Sequence, residues 1–294
     1  MNKKTIFIWT CDYSETTGEG KLARLFIKKI NFTKTYNCKI NQKATSSSRY
    51  MSSIVGIFYC WLKYLGNKKV CYLNYLPLWN FFIFIFLPPK TIIGPITGGA
   101  NFTKTNKINY FIRGIIFPLF YKISEFFINL RFRKDIIFST DLLKKYLSQK
   151  TIKKSKFNFI LNIFQRKKKI KKKIDLLIYY RKHKNKEMFF PYNLIKTLVK
   201  NKFNIIIIGD KLNISKVKNL GIVSAKKVSK LQSIAKYTIA SGENLYSFFI
   251  IECLANNVQV IINNHYKNKT KFYKNKFVKI NYEKLNNLKK LKRV

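Results

Sequence analysis

The chain has 294 residues, 47% hydrophobic and 16% aromatic, with 59 Lys and Arg against 12 Asp and Glu, for a formal charge of +47. That apolar content excludes a disordered protein and suffices for two domains of ordinary size. The charge points to polyanions, yet Lys, Ile, Asn, Phe and Tyr are over-used together, as codon drift in a genome poor in G and C would produce, so part of the basicity is background. The scarce acids therefore carry more information than the abundant bases.

In chain order, Lys4 to Trp9 reads as a buried strand and Asp12 to Gly20, DYSETTGEG, as a polar loop holding Gly18 and Gly20. Lys21 to Ile30 has helical spacing, with Leu22, Leu25, Phe26 and Ile30 on one side. Strand, glycine-bearing loop and helix in that order can hold an anion or a sugar at the helix N-terminus. The glycine pair serves equally as a plain turn, since it lacks the third glycine of a dinucleotide fingerprint. Ser46 to Ser48 offer a cap for a helix from Tyr50 to Leu65, and Lys69 to Leu73 follows as a strand. Asn74 and Pro77 turn the chain into a short apolar helix ending at Pro88-Pro89. Thr91 to Ile93 is a strand opening into GPITGGANF, where Gly94, Gly98 and Gly99 either let the backbone approach a ligand or make a tight turn. Asn109 to Leu130 is helical, aromatic and basic, a pattern that suits an anionic membrane surface or a core helix. Asp135 to Ser139 is a strand, and Thr140 caps a helix ending near Leu147.

These elements make residues 1–147 a first domain. Residues 148–174 read as a basic linker ending in RKKKIKKK, Arg166 to Lys173, a run that is solvated or lies against anionic lipid. Residues 175–294 then alternate again. Asp175 to Tyr180 is a strand, followed by RKHKNK, a helix from Met188 to Lys200, strands at Phe203 to Ile208 and Leu220 to Val223, and a helix from Ser224 to Ala235. The tail, Tyr266 to Val294, is rich in Lys and Asn, with one helical stretch from Tyr282 to Leu291. Strict alternation of strand and helix argues for α/β architecture with two Rossmann-like, doubly wound domains that bind ligands at the carboxyl ends of their strands.

The cysteines, Cys11, Cys38, Cys60, Cys71 and Cys253, show no CxxC pair and read as reduced core thiols, with no zinc site and no disulfide framework. The N-terminal apolar run is too short for a signal peptide, and the apolar blocks Phe81 to Leu87 and Tyr110 to Leu130 fall short of a spanning helix. A cytoplasmic protein is expected, peripheral on the inner face of the membrane if its basic segments meet lipid. The two histidines, His183 and His265, have no acid or Cys partner nearby in sequence, which serves neither a triad nor a His-ligated metal.

The most informative stretch is Lys236 to Asn263, KYTIASGENLYSFFIIECLANNVQVIIN. It reads as a strand (Tyr237 to Ala240), a polar turn (Ser241 to Asn244), an apolar helix (Tyr246 to Ala255) and a second strand (Val258 to Ile262). Glu252 sits among Phe248, Phe249, Ile250, Ile251, Cys253 and Leu254, so its carboxylate must reach a cleft or pair with a donor. This stretch resembles the C-terminal signature of retaining GT-B glycosyltransferases of family four, also called group one. Glu252 and the residues through Ile261 align with the family's second glutamate and the strand after it. Asn244-Leu245-Tyr246-Ser247 falls where the family has Glu-Gly-aromatic-Gly, and Glu243 stands one residue early, with eight residues between the two glutamates where the family has seven. Family members also end the preceding domain strand with an arginine and place a lysine five residues later, a spacing matched by Arg181 and Lys186.

The resemblance implies a GT-B-like fold whose two domains face an interdomain cleft, an acceptor domain first and a nucleotide-sugar donor domain second. It implies that Arg181 and Lys186 grip the donor diphosphate, that Glu252 meets the ribose, and that Glu243 or Asn244, with Ser247, contacts the transferred sugar or its phosphate. Gly18, Gly20, Gly94, Gly98 and Gly99 would line acceptor or phosphate loops. Transfer with retention, onto a saccharide or lipid-linked acceptor in surface polysaccharide synthesis, is the implied activity. No cofactor and no metal are expected, since the chain has no Asp-x-Asp motif and fixed cations can stabilise the leaving diphosphate. Two other readings stand beside it. One is a GT-B relative without catalysis acting as a partner subunit, to which the shifted glutamate spacing points. The other is a basic nucleic-acid-binding protein, for which the chain has charge but no recognisable reading motif, so no specific nucleic acid is expected.

Overall fold

The computed structural model describes residues 4–15, 17–29, 36–41, 49–74, 76–98, 111–132, 136–163, 170–182, 187, 190–240, 245, 247–264, 276–285 and 287–294. The chain divides into two compact units, Met1–Ile163 and Phe164–Val294.

Unit 1 is built on a parallel sheet of β1 (Lys4–Trp9), β2 (Tyr36–Asn41), β3 (Lys69–Tyr72) and β4 (Ile92–Ile93), in the order β2-β1-β3-β4. Alternate residues feed two layers. Ile6 and Ile8 of β1 pack with Ala23, Phe26 and Ile27 of α1 (Gly18–Lys29), whereas Trp9 joins Val70, Tyr72 and Cys60 of α2 (Arg49–Leu65). Burial on both faces is why β1 and β3 read as apolar runs. The edge strand β2, YNCKIN, is half-covered and carries no such signal.

Beyond β3 come α3 (Phe81–Phe86) and a π-helical turn, Ile112–Ile116, that runs into α4 (Phe117–Arg131). Pro118 at the start of α4 has no N–H to return to the preceding turn, which accounts for the widened π turn there. α4 buries Tyr121, Ser124, Glu125 and Ile128 and turns Leu119, Phe126 and Leu130 outward, so it is a core helix whose far side is also apolar.

Residues 140–147, expected as a helix, form one 3-10 turn at Lys144–Tyr146. Thr140 Oγ1 accepts the Leu142 N–H, two residues on, and Ser148 caps a new helix. Residues 148–163, expected as linker, fold onto unit 1 as α5 (Gln149–Lys153), β6 (Ser155–Lys156) and α6 (Phe159–Ile163). β6 pairs with β5 (Ile136–Ile137), and Thr151 and Ile160 are buried. Glu125 fastens this segment: its Oε1 accepts the N–H and Oγ of Ser148 at 2.6 Å each, and Lys122 Nζ lies 3.5 Å from Oε2. Burial pushes the Glu125 carboxyl up, but the hydrogen bonds from Ser148 and Thr151 and the Lys122 charge outweigh it and hold it below its ordinary value.

Unit 2 carries a six-stranded parallel sheet in the order β12-β11-β10-β7-β8-β9. The strands are β7 (Ile174–Tyr180), β8 (Ile205–Gly209), β9 (Lys218–Asn219), β10 (Ala235–Ile239), β11 (Gln259–Asn263) and β12 (Phe277–Ile280). The helices are α7 (Tyr192–Lys200), α8 (Ala225–Ile234) and α9 (Phe248–Ala255). Leu176, Ile178, Ile205 and Ile207 point to the α7 layer, and Leu177, Ile206 and Ile208 to the layer of Cys253 and Ala235. The strand expected at residues 220–223 stops earlier, because Gly221 takes φ +67° and Ile222 is 90% exposed. Pro191 stands at the N-cap of α7, which starts after it at Tyr192. The tail departs most from expectation. Residues 277–280 extend the sheet as β12, the described residues of 282–291 hold a 3-10 turn at Leu288–Lys290 in place of the expected helix, and Leu291 enters the unit 2 core. Among the described residues, no helix is long and apolar enough to cross a membrane.

Candidate functional site

In an open parallel sheet, ligands gather beyond the carboxyl ends of the strands where the winding reverses. Each unit has one such place. In unit 1 the chain passes from β1 to β2 and returns to β3 on the other flank of β1; in unit 2 it passes from β7 through β8 to β9 and returns to β10 beside β7.

At the unit 2 reversal, Arg181 follows β7 directly and is exposed. The turn around it is held by two acids. Asp210 Oδ2 accepts the Lys182 N–H at 2.7 Å while the Asp210 N–H donates to the Tyr180 carbonyl at 3.0 Å. Tyr180 OH donates to Glu187 Oε1 at 2.8 Å and lies 3.1 Å from Tyr192 OH; burial first, then these bonds, push the phenol up. Gly209 is required here twice over. Its φ is +97°, and a Cβ would fall on the Tyr180 carbonyl oxygen. No sequence motif marks Asp210, Glu187 or Gly209; for the two acids the signal available is the rarity of Asp and Glu in this chain.

The strand beside β7 is β10, and residues 241–247 lead from it to α9. Ser247 caps α9, its Oγ accepting the Ile250 N–H at 3.3 Å. Glu252 lies in the second turn on the flank facing α8, where the buried Gln232 brings Nε2 within 3.5 Å of Oε2 and 3.3 Å of the Phe249 carbonyl. The carboxylate is thus half-buried with an amide donor beside it. No sequence pattern pointed to Gln232. Lys186, His183, Glu243 and Asn244 lie outside the described residues, as does Gly99.

At the unit 1 reversal the organiser is Asn74, 1% exposed, two residues beyond the end of β3. Its Nδ2 donates to the carbonyls of Asp12 (2.6 Å) and Glu19 (3.1 Å), and its Oδ1 accepts the Cys11 N–H at 3.0 Å, with Thr10 Oγ1 also at 3.0 Å. Asp12 folds the loop by accepting from the Ser14 N–H (2.8 Å) and from Thr17 Oγ1. Gly18 and Gly20, expected in this loop, lie in the first turn of α1. Thr17 Oγ1 accepts the Gly20 N–H at 3.0 Å and so starts the helix earlier, while Gly20 packs against the Ser14 backbone. Gly94 is buried, donates its N–H to the Tyr72 carbonyl at 2.8 Å and would set a Cβ 3.1 Å from Leu73 Cα. Gly98 takes φ +123° at an exposed position. Among the described residues no group of His, Cys, Asp and Glu could hold a metal ion.

No protein-family model and no curated protein matches the chain. Solved structures do. A Listeria monocytogenes protein described as a UDP-N-acetylglucosamine 2-epimerase superposes with a TM-score of 0.52 at 10% identity, over 89% of this chain and 79% of that one. The glycosyltransferase SnogD from Streptomyces nogalater gives 0.45 at 8% identity, over 96% and 88%. Anabaena Alr3699/HepE, solved with UDP and glucose, gives 0.46 at 10% identity, over 89% and 81%. The likeness to the Listeria protein, with the two parallel sheets described above, fixes the class at the level of fold: two Rossmann-like α/β units of the GT-B type.

Proposed function

We propose that this protein is a glycosyltransferase that moves a sugar from a nucleotide-sugar donor to a saccharide or lipid-linked acceptor, with retention, in the synthesis of a surface polysaccharide. The observation that carries the reading is that β7, which runs into Arg181, and β10, the strand before Ser247 and α9 with Glu252, are adjacent at the unit 2 reversal. Arg181, with Lys186, holds the donor diphosphate. A departing nucleoside diphosphate gains negative charge, and fixed cations stabilise it without a metal. Glu243 or Asn244 contacts the transferred sugar, Ser247 presents the N-terminus of α9 to it, and Glu252 accepts from the ribose hydroxyls, for which it exchanges its contact with Gln232. In unit 1 the loops that Asn74 ties together receive the acceptor.

The test is calorimetric titration of the full chain with UDP, GDP, ADP and CMP and their sugars, with and without Mg²⁺, followed by product analysis with the best donor. One diphosphate should bind without metal, and Arg181→Ala should weaken it by about tenfold or more. Binding of none refutes the donor site. Conversion of the donor sugar to its epimer, with nothing transferred, replaces the reading by the activity ascribed to the Listeria protein.

A further inference from the structure

The exposed large apolar side chains among the described residues concentrate on three helices of unit 1. On α2, Ser52, Gly56 and Cys60 face the core while Phe58 and Leu62, 70% and 63% exposed, point the other way. On α3, Phe82 and Phe86 stack on each other in the open, and on α4 Leu119 and Phe126 lie outward. The helices are neighbours. Trp61 Nε1 of α2 donates to the Phe86 carbonyl of α3 at 2.6 Å, and the rings of Phe81 on α3 and Phe120 on α4 are 5.0 Å apart. Three adjacent helices, each with large apolar side chains exposed on its outer side, make an apolar surface of the kind that marks an interaction site.

Charge decides what fits it. From residue 20 to residue 134 the sequence holds one acid, Glu125, and that carboxylate is turned inward onto Ser148. Lys122 stands on the exposed side between Leu119 and Phe126, and Lys68 and Lys69 follow the end of α2. A second copy would bring two strongly basic rims together. A nucleic-acid duplex would leave the whole apolar face in water, and a single strand, whose bases can stack on Phe82 and Phe86, would leave Leu62 and Leu119 there. An anionic bilayer accepts both features, apolar side chains at the acyl boundary and Lys at the headgroups.

We infer that the outward face of α2, α3 and α4 rests in the headgroup region of an anionic membrane, with the helices lying along the surface. The face stands on unit 1 geometry alone and does not depend on the donor-site reading. Its functional consequence is that an acceptor held in the same membrane would be presented to unit 1.

The test is co-sedimentation of the full chain with phosphatidylcholine vesicles, with and without phosphatidylglycerol, alongside quenching of tryptophan fluorescence by brominated lipid. The protein should pellet with the anionic vesicles, and the quenching should fall in Trp61→Phe, with the remainder from Trp79, which is half-buried against Phe117, since Trp9 is buried. Serine at Phe58, Leu62, Phe82 and Phe126 together should lower partitioning by about tenfold or more. These side chains lie outside the core, and the quenching of Trp61 in the unsubstituted protein tests the same face without relying on the variant. The inference is overturned if the serine variant binds as well as the parent and both release in high salt, which would be charge alone. It is equally overturned if no vesicle binds, or if lipid-free protein forms a dimer that the serine variant abolishes.

Discussion

Replacing Asn74 by alanine removes three hydrogen bonds made by one buried amide, two donated by Nδ2 to the Asp12 and Glu19 carbonyls and one accepted from the Cys11 N–H, while the Thr10 hydroxyl it also meets keeps the Asp12 carbonyl. At about 1 kcal/mol net for each, the loss is about 3 kcal/mol, a large share of the roughly 5–15 kcal/mol that holds a domain together. In a unit of this size it should lower the melting temperature by roughly 6–12 °C. Urea unfolding followed by tryptophan fluorescence is the assay, because Trp9, buried in β1 beside Thr10, reports on unit 1. Asn74→Asp sharpens the test. It keeps the acceptor for Cys11 but sets a carboxylate oxygen against two carbonyls, so it should be no more stable than the alanine variant at neutral pH. A loss under about 1 kcal/mol for alanine, or an aspartate variant as stable as the parent, would refute the view that this amide ties the β1 and β3 loops together.

Glu125→Gln should cost about 1 kcal/mol at neutral pH, measured by denaturant unfolding. Because the folded carboxyl sits below its unfolded value, its contribution is complete above the unfolded pKa, about 4.3, and disappears as the pH falls through the folded value, so the gap between parent and variant should close in acid. Gly209→Ala should destabilise by about 1–3 kcal/mol and, if Arg181 holds a diphosphate as proposed, weaken its binding as well, since a Cβ there displaces the Tyr180 carbonyl beside Arg181; calorimetry and thermal melting read the two effects. Burial pushes the Cys60 thiol up to about 12, so it should resist thiol reagents at pH 8 until urea opens unit 1, and rapid labelling of Cys60 in the folded protein would contradict its placement.

The sequence by itself determined the alternation of strand and helix, the burial of β1, β3, β7 and β8 on both faces, and the place of Arg181 and Glu252 in a βαβ pattern, because those depend on neighbours a few positions apart. Tertiary structure decided what depends on distant partners. β2, polar, and β12, only four residues long, are edge strands that exist through the ladders they join, and residues 148–163 became part of unit 1 through β5 and Glu125. Gln232, beside Glu252, lies 20 positions away on α8, and Asn74 meets Asp12 across 62, separations over which no local pattern carries information. The outward face of α2 and α4 was hidden for another reason. A helix apolar on both sides has the same periodicity whichever side meets the core, so only packing shows which rings are left for a partner.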